Sequence, residues 1–331
     1  MNKNLFTERI LKMGYGFWES QVLFTAINIG IFDLLERQPL TGGEVSEKVG
    51  ASSRGIELLL RALASLEFIE KEKNNKYKNA LISSAYLIKE KPKYKGYVLL
   101  HFKNMWDTWG NLEKAVLTGK PVVEIRQKLK NEDCSELFTL AMQSNAVEMA
   151  DTISNALEMG KYSSMLDLGG GPATYSIAFA RKNEKLKVTL LDIPQVIKIA
   201  KRIVDKNKLT ERFTFIEGDF FEVECGKGYD FIYISNIIHQ YSPDENLTFL
   251  KNVSRILIKG GDLVINDFFL DDTGISPPFS AVFGLNMLVH TDGGRSYTFL
   301  EVENWLNKIG FNRVEKIAFN EAPSALLIAT K

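Results

Sequence analysis

The stretch Met165–Ala180, MLDLGGGPATYSIAFA, decides the fold. An apolar run that carries an acid, Asp167, leads into three consecutive glycines, and a helical pattern follows directly. Glycines allow positive φ angles and a close approach of the backbone to a ligand, while the first N–H groups of a helix favour an anion. A strand, a glycine turn and a helix in this order predict a nucleotide-type pocket at the end of the strand.

Composition limits the class of partner. The chain has 331 residues, of which 45% are apolar, and this size predicts two domains with substantial cores. Its 41 basic and 41 acidic side chains cancel, so no overall field attracts nucleic acid or an anionic membrane. Cys134 and Cys225 show neither metal-ligand nor disulfide spacing, so no metal is predicted. The lone cysteines predict a reducing cytoplasm, while the polar start and the lack of a long apolar run predict a soluble protein without a membrane segment.

The first 95 residues follow the order of a winged-helix module. Two helices are expected between residues 5 and 38, a capping box at Thr41 begins a short helix, and a stronger amphipathic helix runs from Ser53 to Leu66. Alternation on both sides of Asn74-Asn75 predicts a β-hairpin. The helix from Ser53 to Leu66, which would be the DNA-recognition helix of such a module, carries too little positive charge to bind several phosphates. A dimerisation domain is therefore favoured over a DNA-binding one.

The remainder of the chain changes from helices to an alternating pattern. Residues 96–160 are predicted to form a helical linker, and from residue 161 to 331 short apolar runs alternate with amphipathic helices, as in a parallel sheet. The seven expected strands are 163–168, 186–191, 213–217, 229–235, 261–267, 312–319 and 324–330.

Acids at the ends of the predicted strands narrow the choice of nucleotide. A dinucleotide fingerprint requires Gly or Ala at the sixth position of GxGxxG, and that position is Thr174 here, so NAD fits poorly. Asp192 ends the second strand, where a carboxylate can accept both ribose hydroxyls. Asp219 and Phe220 follow the third strand. Each acid alone could equally be a helix cap or a loop residue.

The pattern Asp167-x-Gly169-x-Gly171 resembles the first motif of class I S-adenosylmethionine-dependent methyltransferases. The resemblance implies that this turn borders the methionine portion of the cofactor, with Asp167 near its cationic groups. It further implies that Asp192 contacts the ribose and Asp219 the adenine amino group, and that Phe220 packs over the adenine ring. Ser235 stands where a lysine of the fourth strand lies near the cofactor in plant-type relatives.

His239 follows the fourth predicted strand, on the side of an open α/β sheet where ligands bind. A capping box at Ser242 with proline at the next position begins a helix that we expect to end at Gly260-Gly261. Here the chain resembles the plant-type small-molecule O-methyltransferases and their bacterial relatives, whose motif has the form HDWSDE. The likeness extends from INIGIFDLLE near the start to the late segment MLVHTDGGRSYT.

This family resemblance implies the function and the fold. His239 would be the general base for a substrate hydroxyl, and Asp267 at the end of the fifth strand would orient its imidazole. The expected fold is an α/β, Rossmann-like seven-stranded catalytic domain at 161–331 with a winged-helix dimerisation domain at 1–95 and substrate-pocket helices in between. The expected protein is a homodimer that uses S-adenosyl-L-methionine, releases S-adenosyl-L-homocysteine and methylates a hydroxyl of a small phenolic or polyketide-like compound.

Several positions depart from the family pattern or are less specific. Gln240 and Tyr241 replace the acid and the tryptophan after the histidine, and Ser296 replaces a second flanking glutamate. Tyr241 is a candidate substrate contact. Further substrate-binding candidates, each of which could also be a plain core residue, are Met142, Met287 and His290.

Two other functions stay open at this point. Gln240 and Ser296, which replace two acids of the family pattern, are compatible with transfer of the methyl group to carbon or nitrogen on the same fold. A regulator that binds DNA through the winged helix and a ligand through the large domain is the alternative from a different class, and the low charge of its second helix speaks against it.

Overall fold

The computed structural model describes residues 3–124, 131–319 and 323–331, which form two compact units, Met1–Met105 and Trp106–Lys331. The boundary between the units falls inside the helical linker predicted at 96–160, and part of that linker, residues 125–130, lies outside the described residues.

The first unit combines helices with a small antiparallel sheet of strand order β1-β3-β2. Its buried core is built from the helices that precede the sheet and from the helix pair α4–α5. In chain order its elements are α1 (Lys3–Tyr15), α2 (Phe17–Asn28), α3 (Ile31–Arg37), β1 (Leu40–Thr41), α4 (Gly42–Val49), α5 (Ser53–Ser65), β2 (Ile69–Lys71), β3 (Lys76–Asn79), α6 (Leu81–Tyr86) and α7 (Gly96–Asn104).

The predicted winged-helix order is present. Thr41 caps α4 with the expected capping box, and the strands β2 and β3 pair as a hairpin around a turn in which Asn75 has φ +61°. The prediction of two helices before residue 38 is wrong, because the chain forms three. Gly30 adopts φ +73°, a left-handed conformation, and it separates α2 from α3.

The second unit is a layered α/β structure. Its elements are α8 (Trp106–Trp109), α9 (Leu112–Thr118), α10 (Glu132–Ala156), β4 (Ser164–Leu168), α11 (Thr174–Lys182), β5 (Lys187–Asp192), α12 (Pro194–Lys206), β6 (Phe213–Glu217), β7 (Tyr229–Ser235), α13 (Pro243–Ile256), β8 (Leu257–Asp267), α14 (Pro278–His290), α15 (Phe299–Ile309), β9 (Arg313–Ala318) and β10 (Ala325–Thr330). Single 3-10 turns lie at Met159–Lys161, Thr210–Arg212 and Ile238–Gln240.

The seven strands form one sheet of order β6-β5-β4-β7-β8-β10-β9. The first five strands pair in parallel, and β10 pairs antiparallel to both β8 and β9. The α/β class and all seven predicted strands are confirmed. The expected helix end at Gly260-Gly261 is wrong: α13 ends at Ile256, and Gly260, with φ +78°, lies within β8. Leu257 is already extended, so the chain enters the strand without a glycine stop.

The central strands of the sheet are buried on both faces. Alternate residues of β4, Leu166 and Leu168, belong to one apolar cluster, while Met165 belongs to the other, as the period of two in a strand requires. One cluster includes side chains of α13 and α15, and the other includes side chains of α10, α11 and α12. A parallel sheet covered on both faces leaves its carboxyl edge as the place for a ligand.

The strand order reverses beside β4, because β5 lies on one side of it and β7 on the other. Ligands of open α/β sheets bind outside the carboxyl ends of the strands at such a reversal. No helix of the described ranges has both the length and the apolar character needed to cross a bilayer.

Candidate active site

The glycine turn, residues 169–173, connects β4 to α11 at the point where the strand order reverses. Gly169 has φ +66° and Gly171 has φ +54°, both in the region that favours glycine. The N–H of Gly169 donates to the carbonyl of Leu191 at 2.9 Å, and a Cβ on Gly169 would lie 2.5 Å from Cδ1 of Ile237. The turn therefore depends on glycine both for its backbone conformation and for its close packing.

Asp192 lies at the carboxyl end of β5, next to the glycine turn. Its Oδ2 accepts a hydrogen bond from the N–H of Gly171 at 2.9 Å, and its Oδ1 accepts one from the N–H of Ile193 at 2.7 Å. Burial raises the pKa of Asp192 to about 6, while the two backbone bonds act in the opposite direction. The half-buried carboxylate is thus held beside the glycine turn at the carboxyl edge of the sheet, and its contact with a ribose stays a prediction.

Asp167 is buried beneath the glycine turn and only 2% exposed. Its Oδ2 accepts a hydrogen bond from the hydroxyl of Ser176, which is also buried. Burial, with a smaller contribution from the nearby Asp192 carboxylate, raises the pKa of Asp167 to about 7, while the bond from Ser176 acts in the opposite direction. The sequence-based expectation of a direct contact with a ligand stays a prediction, whereas the bond to Ser176 was not anticipated.

Asp219 and Phe220 follow β6 at the same edge. The Oδ1 of Asp219 accepts from the N–H of Phe221 at 2.9 Å, which orients the carboxylate in its loop. The half-buried ring of Phe220 packs against the ring of Phe249, with centroids 4.8 Å apart. Their expected contacts with the adenine stay predictions.

Ser235 ends β7 and belongs to a polar group that includes Asn266 and Tyr175. The Nδ2 of Asn266 donates to Oγ of Ser235 at 3.0 Å and to the hydroxyl of Tyr175 at 3.3 Å. Asn266 is fully buried, and sequence reasoning missed it. A polar residue inside the apolar run LVIND was the available signal.

His239 and Asp267 form a buried pair at the carboxyl ends of β7 and β8. The Nδ1 of His239 lies 2.6 Å from Oδ1 of Asp267, and the same oxygen accepts the N–H of Phe268 at 2.7 Å. Because a carboxylate can only accept, Nδ1 carries the proton in this bond, and the neutral tautomer with that proton has its lone pair on Nε2. The structure brings together the two residues that the sequence singled out for proton transfer.

Three phenylalanines, Phe268, Phe279 and Phe283, form an aromatic wall beside His239. The Phe283 ring meets the imidazole edge-on at a centroid distance of 4.8 Å, and Phe268 lies nearly parallel to it at 6.0 Å. Phe268 and Phe279 were not identified from the sequence. The spacing of Phe279 and Phe283 by one helical turn in α14 was the signal that could have located this surface.

The predicted substrate contacts occupy different environments. Tyr241 is buried in an aromatic cluster, with its ring 5.0 Å from that of Phe221, so it supports the loop after His239. Met287 is one helical turn after Phe283 on α14 and is buried, and His290 donates through Nδ1 to the carbonyl of Asn286 at 2.8 Å. Met142 is half-buried on α10.

The two substituted family positions bond to the backbone. Nε2 of Gln240 donates to the carbonyl of Asn236 at 2.9 Å, and the hydroxyl of Ser296 donates to the carbonyl of Ser280 at 2.6 Å. Asp267 is consequently the acid that the structure shows bonded to the imidazole.

In the ranges 3–124, 131–319 and 323–331, no group of three His, Cys, Asp or Glu side chains is arranged to hold a metal ion.

Two known protein families match this chain. Residues 109–312 match the model of the O-methyltransferase domain, and residues 11–89 match that of the O-methyltransferase dimerisation domain.

The chain belongs to the O-methyltransferase family. It is a methyltransferase, as the resemblance of its motifs implied.

Relatives of this methyltransferase match it over nearly its whole length. It is 28% identical to the tetracenomycin polyketide synthesis 8-O-methyl transferase TcmO of Streptomyces glaucescens, over 97% of this chain and 96% of that protein. It is 30% identical to the acetylserotonin O-methyltransferase of Bos taurus, over 90% of each. The crystal structure of human N-acetylserotonin methyltransferase in complex with SAM superposes with a TM-score of 0.91 at 26% identity, covering 100% of this chain and 98% of that chain.

The buried acid of the methyltransferase predicts a pH dependence of stability. Because the pKa of Asp167 is raised from 3.8 to about 7, the folded chain holds a proton that the unfolded chain releases at lower pH. The cost of burying the charge therefore grows as pH rises and is fully present above pH 7. Between pH 5 and pH 8, we expect the free energy of unfolding of Asp167→Asn to rise relative to wild type by about 3 kcal/mol.

Urea unfolding of both proteins at the two pH values measures this difference. The exposed Asp272→Asn serves as control and should show no comparable rise. A difference between Asp167→Asn and wild type that is the same at both pH values would contradict the assignment of the buried charge.

Proposed function

We propose that this chain is an S-adenosylmethionine-dependent O-methyltransferase that methylates a hydroxyl of a small aromatic compound. The observation that carries the proposal is the buried His239–Asp267 pair, which faces an aromatic wall at the carboxyl edge of the sheet. The names of TcmO and of the acetylserotonin enzyme describe oxygen methylation, in line with a histidine base that accepts a hydroxyl proton.

The residues around the glycine turn fit the cofactor. Gly171 has open space above its Cα and stands next to the half-buried carboxylate of Asp192, a suitable acceptor for ribose hydroxyls. We assign Gly169 and Gly171 to the methionine portion, Asp192 to the ribose, and Asp219 with Phe220 to the adenine. Ser235 faces the same edge. When bound there, S-adenosylmethionine supplies an electrophilic methyl group to the acceptor oxygen.

His239 acts as the general base. Its Nε2 lone pair accepts the proton of the substrate hydroxyl, which makes the oxygen a stronger nucleophile. The positive imidazole that results is stabilised by the carboxylate of Asp267, which also prevents rotation of the ring. The bond from the N–H of Phe268 to the same oxygen holds the carboxylate in place.

The aromatic wall positions the acceptor and keeps water from the base. Phe268 and Phe283 cover the imidazole from two directions, so a planar ring can stack beside it with its hydroxyl towards Nε2. Met142, Met287 and His290 are proposed to line the remainder of the pocket, since methionine adapts to flat rings. Tyr241 is proposed to shape the loop that carries His239.

The first unit is proposed to form a homodimer. Large apolar side chains on α1 and α2 are exposed, among them Ile10 at 70%, Met13 at 77% and Trp18 at 62%. An apolar surface of this kind is typical of a protein–protein interface. In this proposal residues 1–95 serve dimerisation, residues 96–160 contribute pocket helices, and residues 161–331 carry the chemistry.

The partners and the compartment follow from charge and cysteine chemistry. The equal numbers of acidic and basic side chains support a small-molecule partner over nucleic acid or a membrane. Cys134 and Cys225 are both free, as in a reducing compartment, which supports a cytoplasmic location.

Incubation with S-adenosylmethionine and a panel of phenols, catechols, hydroxyindoles and hydroxylated polyketides tests the proposal. We expect at least one acceptor to gain one methyl group on oxygen, identified by mass spectrometry and by the chemical shift of the new methyl group in NMR. Methylation only on carbon or nitrogen, or no methylation in the presence of bound cofactor, would overturn the oxygen assignment.

His239→Ala tests the base. We expect kcat to fall by about a hundredfold to ten-thousandfold, because the variant loses the group that we assign to accept the hydroxyl proton. The affinity for S-adenosylhomocysteine, measured by calorimetry, should stay within about threefold of wild type, since His239 is assigned to the acceptor side. Lys259→Ala, at an exposed position of β8 away from its carboxyl end, is the control and should retain activity. Full turnover by His239→Ala would remove this residue from its role.

The double variant Ile10→Glu with Met13→Glu tests the dimer. Two buried charges in an interface without partners are strongly destabilising, so we expect the mass to change from twice 37.4 kDa to a single chain. Size-exclusion chromatography with light scattering measures this change. Lys12→Glu adds the same side chain at a polar, exposed position of α1 and should remain dimeric. A dimer that persists in the double variant would place the interface elsewhere.

A further inference from the structure

The buried contact between Asp167 and Ser176 is not explained by the reaction. We propose that these two residues are a positioning pair, which holds the glycine turn from beneath and acts on the cofactor through the turn. This inference rests on the proposed cofactor and adds a role for a residue pair on the far side of the turn from the ligand.

The pair brackets the turn. Asp167 precedes it in β4 and Ser176 follows it in the first turn of α11, so one side-chain bond joins the strand before the turn to the helix after it. Both side chains are buried, at 2% and 0% exposure. Burial shields this hydrogen bond from water and strengthens it. The bond therefore restrains both ends of the glycine turn.

The carboxyl group of Asp167 also packs directly against the backbone of the glycine turn at Gly170. A Cβ on Gly170 would lie 2.8 Å from Oδ2 of Asp167 and 2.6 Å from Cγ of Leu190. The backbone of the turn thus rests directly on the carboxylate, with no room for a side chain. This contact explains why the middle glycine is needed although its φ is not in the left-handed region.

Asp167 could act on the cofactor in two ways, by positioning the glycine turn through Ser176 or by attracting the cationic cofactor directly. The titratable groups that face it are the Asp192 carboxylate at the end of β5 and the hydroxyls of Tyr175 and Tyr233, none of which is a cation. If Asp167 acts through Ser176, an uncharged acceptor of the same shape can replace it. If it acts by attracting a cationic cofactor, the charge itself is required.

Two substitutions distinguish these roles by calorimetric titration with S-adenosylhomocysteine. Ser176→Ala removes the donor, and we expect its Kd and its KM for S-adenosylmethionine to rise by about tenfold while kcat changes less than about threefold. Asp167→Asn keeps an oxygen that can accept the Ser176 hydroxyl, and its Kd should stay within about threefold of wild type.

The controls separate positioning from loss of stability. Ser83→Ala removes an equally buried hydroxyl that donates to a backbone carbonyl in the first unit, and its Kd should be unchanged. Thermal melts confirm that each variant is folded at the titration temperature. Ser176→Cys, which keeps a weak donor of similar size, replaces Ser176→Ala if the latter melts too low, and its Kd should rise severalfold.

A large rise in Kd for Asp167→Asn together with wild-type affinity in Ser176→Ala would overturn the proposal in favour of a direct ionic contact. Wild-type affinity in both Ser176 variants would overturn it as well. Because the readout is cofactor binding, failure to find a methyl acceptor leaves the result interpretable. Lack of binding by wild type would overturn the proposed cofactor and this role with it.

Discussion

The parallel pairing of β7 with β8 is the interaction on which the site depends. Its register places Ser235 opposite Asn266, so both strands end at the same level and Asp267 emerges beside the turn that carries His239. The 2.6 Å contact between the imidazole and the carboxylate follows from that register. A shift by one residue would turn Asp267 to the other face of the sheet and separate the pair.

Side-chain alternation along the same strands divides the edge into two regions. Tyr233 and Val264 share the apolar cluster of α11, and the polar residues two positions further on, Ser235 and Asn266, extend that face towards the glycine turn. Asp267 continues the opposite face, where Ile265 packs with α13 and α15. One sheet therefore directs the glycine turn with its polar neighbours and the His239–Asp267 pair to opposite faces, and both lie at its carboxyl edge.

Much of this arrangement was predictable from local patterns. Short apolar runs located all seven strands, and the capping boxes at Thr41 and Ser242 marked helix starts where the structure has them. Two departures are equally local: Gly30 breaks a stretch whose helical spacing continues across it, and Gly260, a residue type common at helix ends, lies within a strand. A glycine with positive φ occurs in both kinds of place, so its local sequence does not distinguish them.

The sequence by itself determined the order of elements, the glycine turn and the presence of His239 and Asp267 at strand ends, because these depend on periodicity and on residue chemistry over short distances. Only the tertiary structure decided that Asp167 is buried on Ser176, that Tyr241 belongs to an aromatic cluster, and that Phe268 lies over the imidazole. Which neighbour a side chain meets depends on contacts between segments far apart in the chain. Burial and hydrogen bonding are set by that packing, and no local pattern contains them.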